Sequence, residues 1–494
     1  MPGPGDLSRD ELVALAVEQA RQIGELQAEN VALAERNTAL AERVARLERM
    51  QSRNSGNSSM PPSGDDALGR KKPAAKPARS KGGKRGKRRG SPGAAVAPVA
   101  DPDRRVPMFP ETCRGCGGAL DQAEHCDEDY LARQQIEIPL MCATVTEYQL
   151  HRVRCACGTV TTAPLPLGVA DAPISYGPNV QALAVYLMVL HAVPVQRCCQ
   201  LIADVTGAAP SPGFVHGMLA RAAKPLAAFA KLVKTMITLA YVVHFDETTL
   251  RCGPCDVKRY VWTASTELLT AHHLGGRSGV EFTAFGVGAD FHGVAVHDNY
   301  AVYDGRDAFG TGIRHQLCCA HLLRHLQDAA ESHPGAHWPA QASRALRALI
   351  RSWHQAGAAG RADIPADVRA PLVTEFRRAV RVGLSDIPRT PDPNAKQLPA
   401  RNLLECLRDR EHDVLSFCSD TQVPPTNNLA ERDLRPHKTQ QKISGRLQSE
   451  NVTRDRLTIR GYLSTAAKNS VDAMTALRGA VIGSPWMPPV PIRA

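Results

Sequence analysis

Between Gln51 and Ala100 the composition turns to Ser, Gly, Pro, Lys and Arg. Such a stretch cannot bury enough apolar surface to offset the entropy lost on ordering it, so it reads as a linker. It divides the 494-residue chain. Whatever precedes it must fold without a neighbouring core, and whatever follows must supply its own.

What precedes it is one helical pattern. From Glu11 to Met50 there is no proline, and Leu12, Leu26, Leu33, Leu40 and Leu47 share a heptad position. With these at d, the a positions are Ala16, Ile23, Asn30, Asn37 and Val44. Leucine at d with isolated Asn at a is the signature of a parallel two-stranded coiled coil, in which buried amides set register at some cost in stability. Arg43 with Glu48 of the other strand is the one good g-to-e pair. The expectation is a homodimer or higher assembly; the alternative is a single helix packed on its own domain.

Charge is equally local. Eleven of the 60 Lys and Arg residues fall between residues 70 and 89, where there is no acid, and the rest of the chain balances its 49 acids. Lys84, Arg85, Lys87, Arg88 and Arg89 form the densest run. Like charges this close repel one another unless phosphates neutralise them, so non-specific DNA binding is expected. A nuclear-import signal or a solvated spacer remains as an alternative reading.

The first fifty residues show no signal-peptide pattern, and the best membrane candidate, Val180 to Val195, is short and carries Gln181 and His191. It reads as a buried helix. Fourteen cysteines without a secretory signal point to metal ligands and buried thiols in a soluble intracellular protein. Cys113-x-x-Cys116 and, after 38 intervening residues, Cys155-x-Cys157 each sit in a Gly-containing turn, as thiolates converging on a structural Zn2+ require. The residues between them, QIEIPL to TVTEYQLHRVR, alternate like strands, which suggests a small zinc-binding β module. His125, Cys126 and His151 are substitute ligands, because the second pair is spaced by one residue. From Pro178 to Leu239 the pattern is helical. VQRCCQLIADVTG ends at Gly207, and Ser211 then caps a helix with Pro212 at its first position. This reads either as a DNA-binding helix-turn-helix or as an ordinary helical hairpin.

Beyond Leu239 the period changes. LAYVVHFDETTL is an apolar strand ending in Asp246-Glu247; VKRYVWTAST and LLTAHHL are two more; GVAVHDNYAVYDG ends its strand in Asp298; IRHQLCCAHLLRHL passes from strand to helix. Acids where two strands of a mixed sheet run out can converge on a metal. With a later Glu they would hold paired Mg2+ ions for attack on a phosphodiester. PPTNNLAERDLRPHK offers that Glu: Asn427 or Asn428 caps a helix carrying Glu431 among Arg432, Arg435, His437 and Lys438. Glu431 is either an ion-pair hub or a metal ligand beside phosphate-binding side chains.

VHFDET, the strand ending in HDNY, CCAHLLRHL and TNNLAERDLRP, in this order, resemble the transposases of the insertion sequence 66 family. The resemblance extends over nearly the whole chain. It implies an α/β ribonuclease-H-like catalytic core with the triad Asp246, Asp298 and Glu431, and a helical insertion for which the 132 residues before Glu431 leave room. It further implies binding of the element's terminal inverted repeats, Mg2+-dependent cleavage and strand transfer into target DNA. Accessory proteins of the same element and a bacterial, nucleoid-associated location are implied as well. His321 and Arg324 share a helix face in the matching motif and are candidate phosphate contacts, or else a surface pair. The Cys155-x-Cys157 spacing departs from the family, and Cys252-x-x-Cys255 is extra and reads as loop thiols.

The expected layout is a coiled coil at 1–50, a basic linker at 51–105 and the zinc module at 106–170. A helical region follows at 171–239, then the catalytic domain at 240–480 with its insertion near 335–420, and a tail at 481–494. Glu247, Asp304 and Asp433 are expected to tolerate loss of charge far better than the triad. Two rivals stay open: a DNA-binding regulator with a dead core, and a metal-dependent nuclease that does not join strands.

Overall fold

Residues 8–52, 98–121, 131–139, 141–305, 308–391 and 396–490 are described by the computed structural model. The chain divides into two compact units, the described parts of 75–146 with 203–208, and the remainder. In the smaller unit Cys113 and Cys116 lie in a turn closed by Gly117 N–H to Cys113 O (2.9 Å). The strand-like alternation becomes sheet only at its end, Arg152–Arg154; residues 131–139 and 141–151 contain no strand. Their apolar side chains are exposed, with Ile136, Ile138 and Val145 at 74, 75 and 94% exposure. Alternation makes a strand only where a second surface covers one face.

In the larger unit α1 (Arg9–Ser52) is one uninterrupted helix. Its described heptad leucines, Leu26, Leu33, Leu40 and Leu47, are 46 to 58% exposed. β1 (Arg152–Arg154) and β2 (Val160–Thr162) form an exposed antiparallel hairpin whose turn holds Cys155 and Cys157. The apolar segment after it is α2 (Pro178–Val189), which buries Ala182, Ala184, Val185 and Met188 completely. Among the described residues no helix is long and apolar enough to cross a membrane. α3 (Val195–Thr206) ends at Gly207, whose φ of +74° suits glycine. The Ser211 hydroxyl accepts from Phe214 N–H (3.2 Å) and starts α4 (Pro212–Ala223), as its cap chemistry predicts. α5 (Ala227–Thr238) leads into the sheet.

The sheet has five strands: β3 (Val242–Leu250), β4 (Arg259–Ser265), β5 (Thr270–Gly275), β6 (Val294–His297) and β7 (Arg314–Leu317), with α6 (Gly279–Phe285) between β5 and β6. Its order is β5-β4-β3-β6-β7. β3 pairs antiparallel with β4 and β4 with β5, whereas β3–β6 and β6–β7 are parallel. The result is an α/β core on a mixed sheet. β3 does not end at its acids, contrary to the sequence reading. It runs four residues past Asp246 because the hairpin with β4 continues, pairing Asp246 with Thr263 and Leu250 with Arg259.

One face of β3 carries Val243, Phe245 and Glu247; the other carries His244 and Asp246, as a period of two requires. The first face meets an aromatic cluster in which Phe245 lies 5.7 Å from Phe282 and 5.2 Å from Phe309, ring to ring, both edge-on. Helices cover the second. α7 (Cys319–Ser332) leaves β7 and is followed by α8 (Trp338–Ala358), α9 (Ala366–Asp386), α10 (Pro399–Asp409) and α11 (Glu411–Val414). These share a core that includes Leu326, Trp338, Leu346, Phe376, Leu404 and Phe417. The buried Gln316 amide ties β7 to that layer, donating to Val414 O (3.1 Å) and accepting from Phe417 N–H (2.8 Å). The chain returns as α12 (Asn428–Ile443), packed on β3 and β4, and α13 (Glu450–Lys468), packed on β5. Gly461 of α13 passes so close to β5 that a Cβ there would lie 3.1 Å from Thr270 O. α14 (Ala473–Val481) closes against α2.

Candidate active site

Parallel pairing brings the first two acids together. His244 stands opposite Val296, so two residues further on Asp246 and Asp298 are level on neighbouring strands. β6 has stopped at His297, which frees Asp298 to turn toward β3. The third acid arrives on α12, and buried Asn427 holds it there. Its amide donates to Phe245 O (2.7 Å), its Oδ1 contacts His244 Nδ1 (3.0 Å), and its backbone N–H donates to Cys318 Sγ (3.2 Å). Asn427 does occupy the position before the helix, but its side chain does not cap α12 as the sequence reading expects. It is spent on fastening the helix start to β3, which places Glu431 one turn along.

Few donors meet these carboxylates. Asp246 accepts Glu247 N–H (2.9 Å) and Asp298 accepts Tyr300 N–H (3.0 Å). Glu431 Oε1 is buried with no hydrogen-bond partner; His321 Nε2 and Arg324 each stand 3.8 Å from it. Burial, and then the charges of Glu247, Asp298 and Glu431, push Asp246 well above the usual carboxylate range. Burial and Glu247 push Asp298 up to about 6, with Glu431 adding to the effect. Acids that raise one another's proton affinity in a half-buried cleft are the arrangement a cation relieves.

The match to protein families falls on this ground. Residues 173–454, more than half of the chain, match the model described as Transposase IS66 family. The chain belongs to that family. The matched span of the IS66-family transposase holds the whole sheet, all three acids and the helical layer between them. Residues 15–95 match a Family of unknown function (DUF6444). Comparison with curated proteins returns no match.

Other residues singled out in the sequence fall into three groups. Arg432 and Arg435 are exposed on α12, flanking Glu431, while His321 and Arg324 are partly buried and face its carboxylate. Lys84, Arg85, Lys87, Arg88 and Arg89 lie outside the described residues, as do His125 and Cys126. Cys155 and Cys157 share a turn with Gly158 at φ +89°, and the Thr159 hydroxyl lowers the Cys157 thiol to about 7. Cys252 is buried against Thr453 (Sγ to Oγ1, 3.1 Å) and Cys255 is exposed, consistent with loop thiols rather than a pair.

The three acids expected to tolerate substitution do not stand free. Glu247 is 3% exposed, accepts from Tyr303 Oη (2.7 Å) and Arg277 (2.8 Å), and is the charge felt most by both Asp246 and Asp298. Asp433 pairs with Lys468 (2.7 Å) and accepts from Ser265, Thr270 and Ser464. Asp304 pairs with Arg410 (2.9 Å). All three have partners that a charge-removing change would orphan. Two residues named in the sequence take roles there that it did not assign. Asn427 is fixed by contacts 182 residues away, which no local signal reports. Lys438, whose ammonium feels Asp246, was legible, because seven residues from Glu431 puts it on the same face of α12.

Proposed function

We propose that this transposase binds the terminal inverted repeats of its element and performs divalent-metal-dependent cleavage and strand transfer. The observation that carries this reading is that Asp246 on β3 feels the charges of Asp298, after β6, and Glu431, on α12, while few donors meet the three acids. The sheet order, three antiparallel strands continued by two parallel ones, supports a ribonuclease-H-like core with α8–α11 as its helical insertion. An all-oxygen, mutually repelling donor set suits Mg2+, and Glu431 Oε1 is a buried acceptor awaiting a partner. When bound, the ions would supply activation of the attacking oxygen and stabilisation of the leaving one.

The protein's own groups do the rest. The Asp pair and Glu431 would hold the cations, and Asn427 keeps α12 in register with β3. Arg432 and Arg435, exposed beside the acids, would hold DNA phosphates, with His321 and Arg324 behind them. Water then attacks phosphorus at the element end and the element's 3′-oxygen leaves with a proton. That 3′-hydroxyl attacks a target phosphodiester, making one P–O bond and releasing the target's 3′-oxygen. Asp246→Asn, Asp298→Asn and Glu431→Gln should each lower cleavage and joining by on the order of a thousand-fold while retaining end-sequence binding. Wild-type joining by Glu431→Gln with Mg2+ would remove Glu431 from the triad. Joined products, as opposed to cut ones alone, separate this reading from a simple nuclease.

Three accessory roles belong to the same reading. The exposed leucine seam of α1 would pair with a second copy, the basic block would give sequence-independent affinity, and the cysteine turns would hold one structural Zn2+. They are checked together on the full chain. Sedimentation should report at least a dimer, metal analysis after reductive purification at least one zinc per chain, and the salt slope should flatten when residues 70–89 lose their charges.

A further inference from the structure

One cluster beside the acids has a different chemistry. Cys318 Sγ, a ring nitrogen of His321 and a carboxylate oxygen of Glu431 lie within 4.8 Å of one another. Cys318 stands immediately before α7 and His321 three residues on, so the first turn of the helix aims both toward Glu431. Their polar atoms are left over by the fold. His321 Nδ1 is buried without a partner, its Nε2 is 3.8 Å from Glu431 Oε1, and that oxygen is also unpartnered. Cys318 Sγ is met by the Asn427 N–H (3.2 Å), the type of donor that supports a metal-bound thiolate. Buried polar atoms are ordinarily satisfied, and a concentration of unsatisfied ones calls for a ligand.

We propose that Cys318, His321 and Glu431 form a binding site for a thiophilic divalent cation of the Zn2+ class, distinct from the all-oxygen Asp246–Asp298 side. Sulfur, imidazole and carboxylate together match a borderline-soft ion, whereas Mg2+ takes oxygen ligands. Binding forms a sulfur–metal bond and releases the thiol proton to solvent. Two anionic ligands then face the dication with the Arg324 guanidinium close by, 3.8 Å from Glu431. His321 and Glu431 are 14 and 25% exposed, which gives the ion a way in although Cys318 is covered. Because Glu431 is shared, an ion here withdraws it from the triad. This last consequence, inhibition by Zn2+ of Mg2+-dependent cleavage, rests on the transposase reading; the binding itself does not.

The test uses the full chain with Cys113, Cys116, Cys155 and Cys157 replaced by Ser, so that no other thiolate cluster takes cobalt; this background, called wild type below, is purified without added metal and titrated with Co2+. A thiolate-to-cobalt absorption band in the near ultraviolet is expected in the wild type and in Asp246→Asn. Cys318→Ser and His321→Gln should lose the band and weaken Co2+ binding on the order of ten-fold or more. Absence of the band in the wild type, or its survival in both variants, overturns the site. If Cys318→Ser fails to fold by circular dichroism, His321→Gln decides, since it keeps the sulfur and its N–H bond. Cleavage that persists in Asp246→Asn refutes the transposase chemistry while leaving the cobalt result standing.

Discussion

Asp246 and Glu247 are neighbours in sequence and opposites in the structure. Glu247 points into the aromatic face of the sheet, where Tyr303 and Arg277 satisfy both of its oxygens. Asp246 points to the helical face and receives one backbone N–H. α12 repeats the contrast two residues apart. Asp433 is held by Lys468 and three hydroxyls, while Glu431 Oε1 has no donor. The partnered acids hold the fold together; the unpartnered ones are kept under mutual repulsion for a ligand. Burial alone does not separate structural from functional carboxylates, and the census of donors does.

The largest expected effect tests the partnered side. Asp433→Asn or Lys468→Met leaves a buried charge without its partner and should cost about 3–5 kcal/mol in denaturant unfolding. Burial opposes charge on both, lowering the Lys468 ammonium, yet Lys468 and the hydroxyls bring Asp433 below its usual range. A loss under 1 kcal/mol would mean the hub is decorative.

Next comes pH. Asp298 is raised from 3.8 to about 6, so folding takes up a proton between those values. Its contribution to stability is complete below pH 4 and lost as pH rises through about 6, a change on the order of 3 kcal/mol without divalent cations. Asp298→Asn should flatten that segment of the stability curve, and Mg2+ should protect the wild type increasingly above pH 6. Superimposable curves for the two proteins would contradict the assignment.

The smallest effect contrasts the adjacent pair directly. Glu247→Gln should destabilise by about 2 kcal/mol, because it weakens a charge-assisted bond to Arg277. Asp246→Asn should stabilise the metal-free protein by about 1 kcal/mol through relief of repulsion, while ending catalysis. Thermal melts in EDTA decide between opposite signs and a shared one.

Elements governed by local chemistry could be read in advance. The Ser211 cap, the glycine stop at 207, the apolar strands and the strand-to-helix passage at Leu317–Cys319 are all as their patterns require. Short apolar runs put Asp246 and Asp298 on neighbouring strands, but only Asp298 follows a strand end; Asp246 lies within β3. The rest depended on the far chain. Which face of β3 would be aromatic and why Asn427 abandons its cap are decided by surfaces distant in sequence.

That distance has a temporal consequence. The bond between Asn427 and Phe245 spans 182 residues. The last acid leaves the ribosome long after the first two, and closing so long a loop is slow relative to local helix and hairpin formation. During synthesis, therefore, the linker and both strand acids exist while the third ligand has yet to be made. If the basic block binds DNA and Glu431 completes the site, as proposed, a nascent or prematurely ended chain would hold DNA before it could cut it.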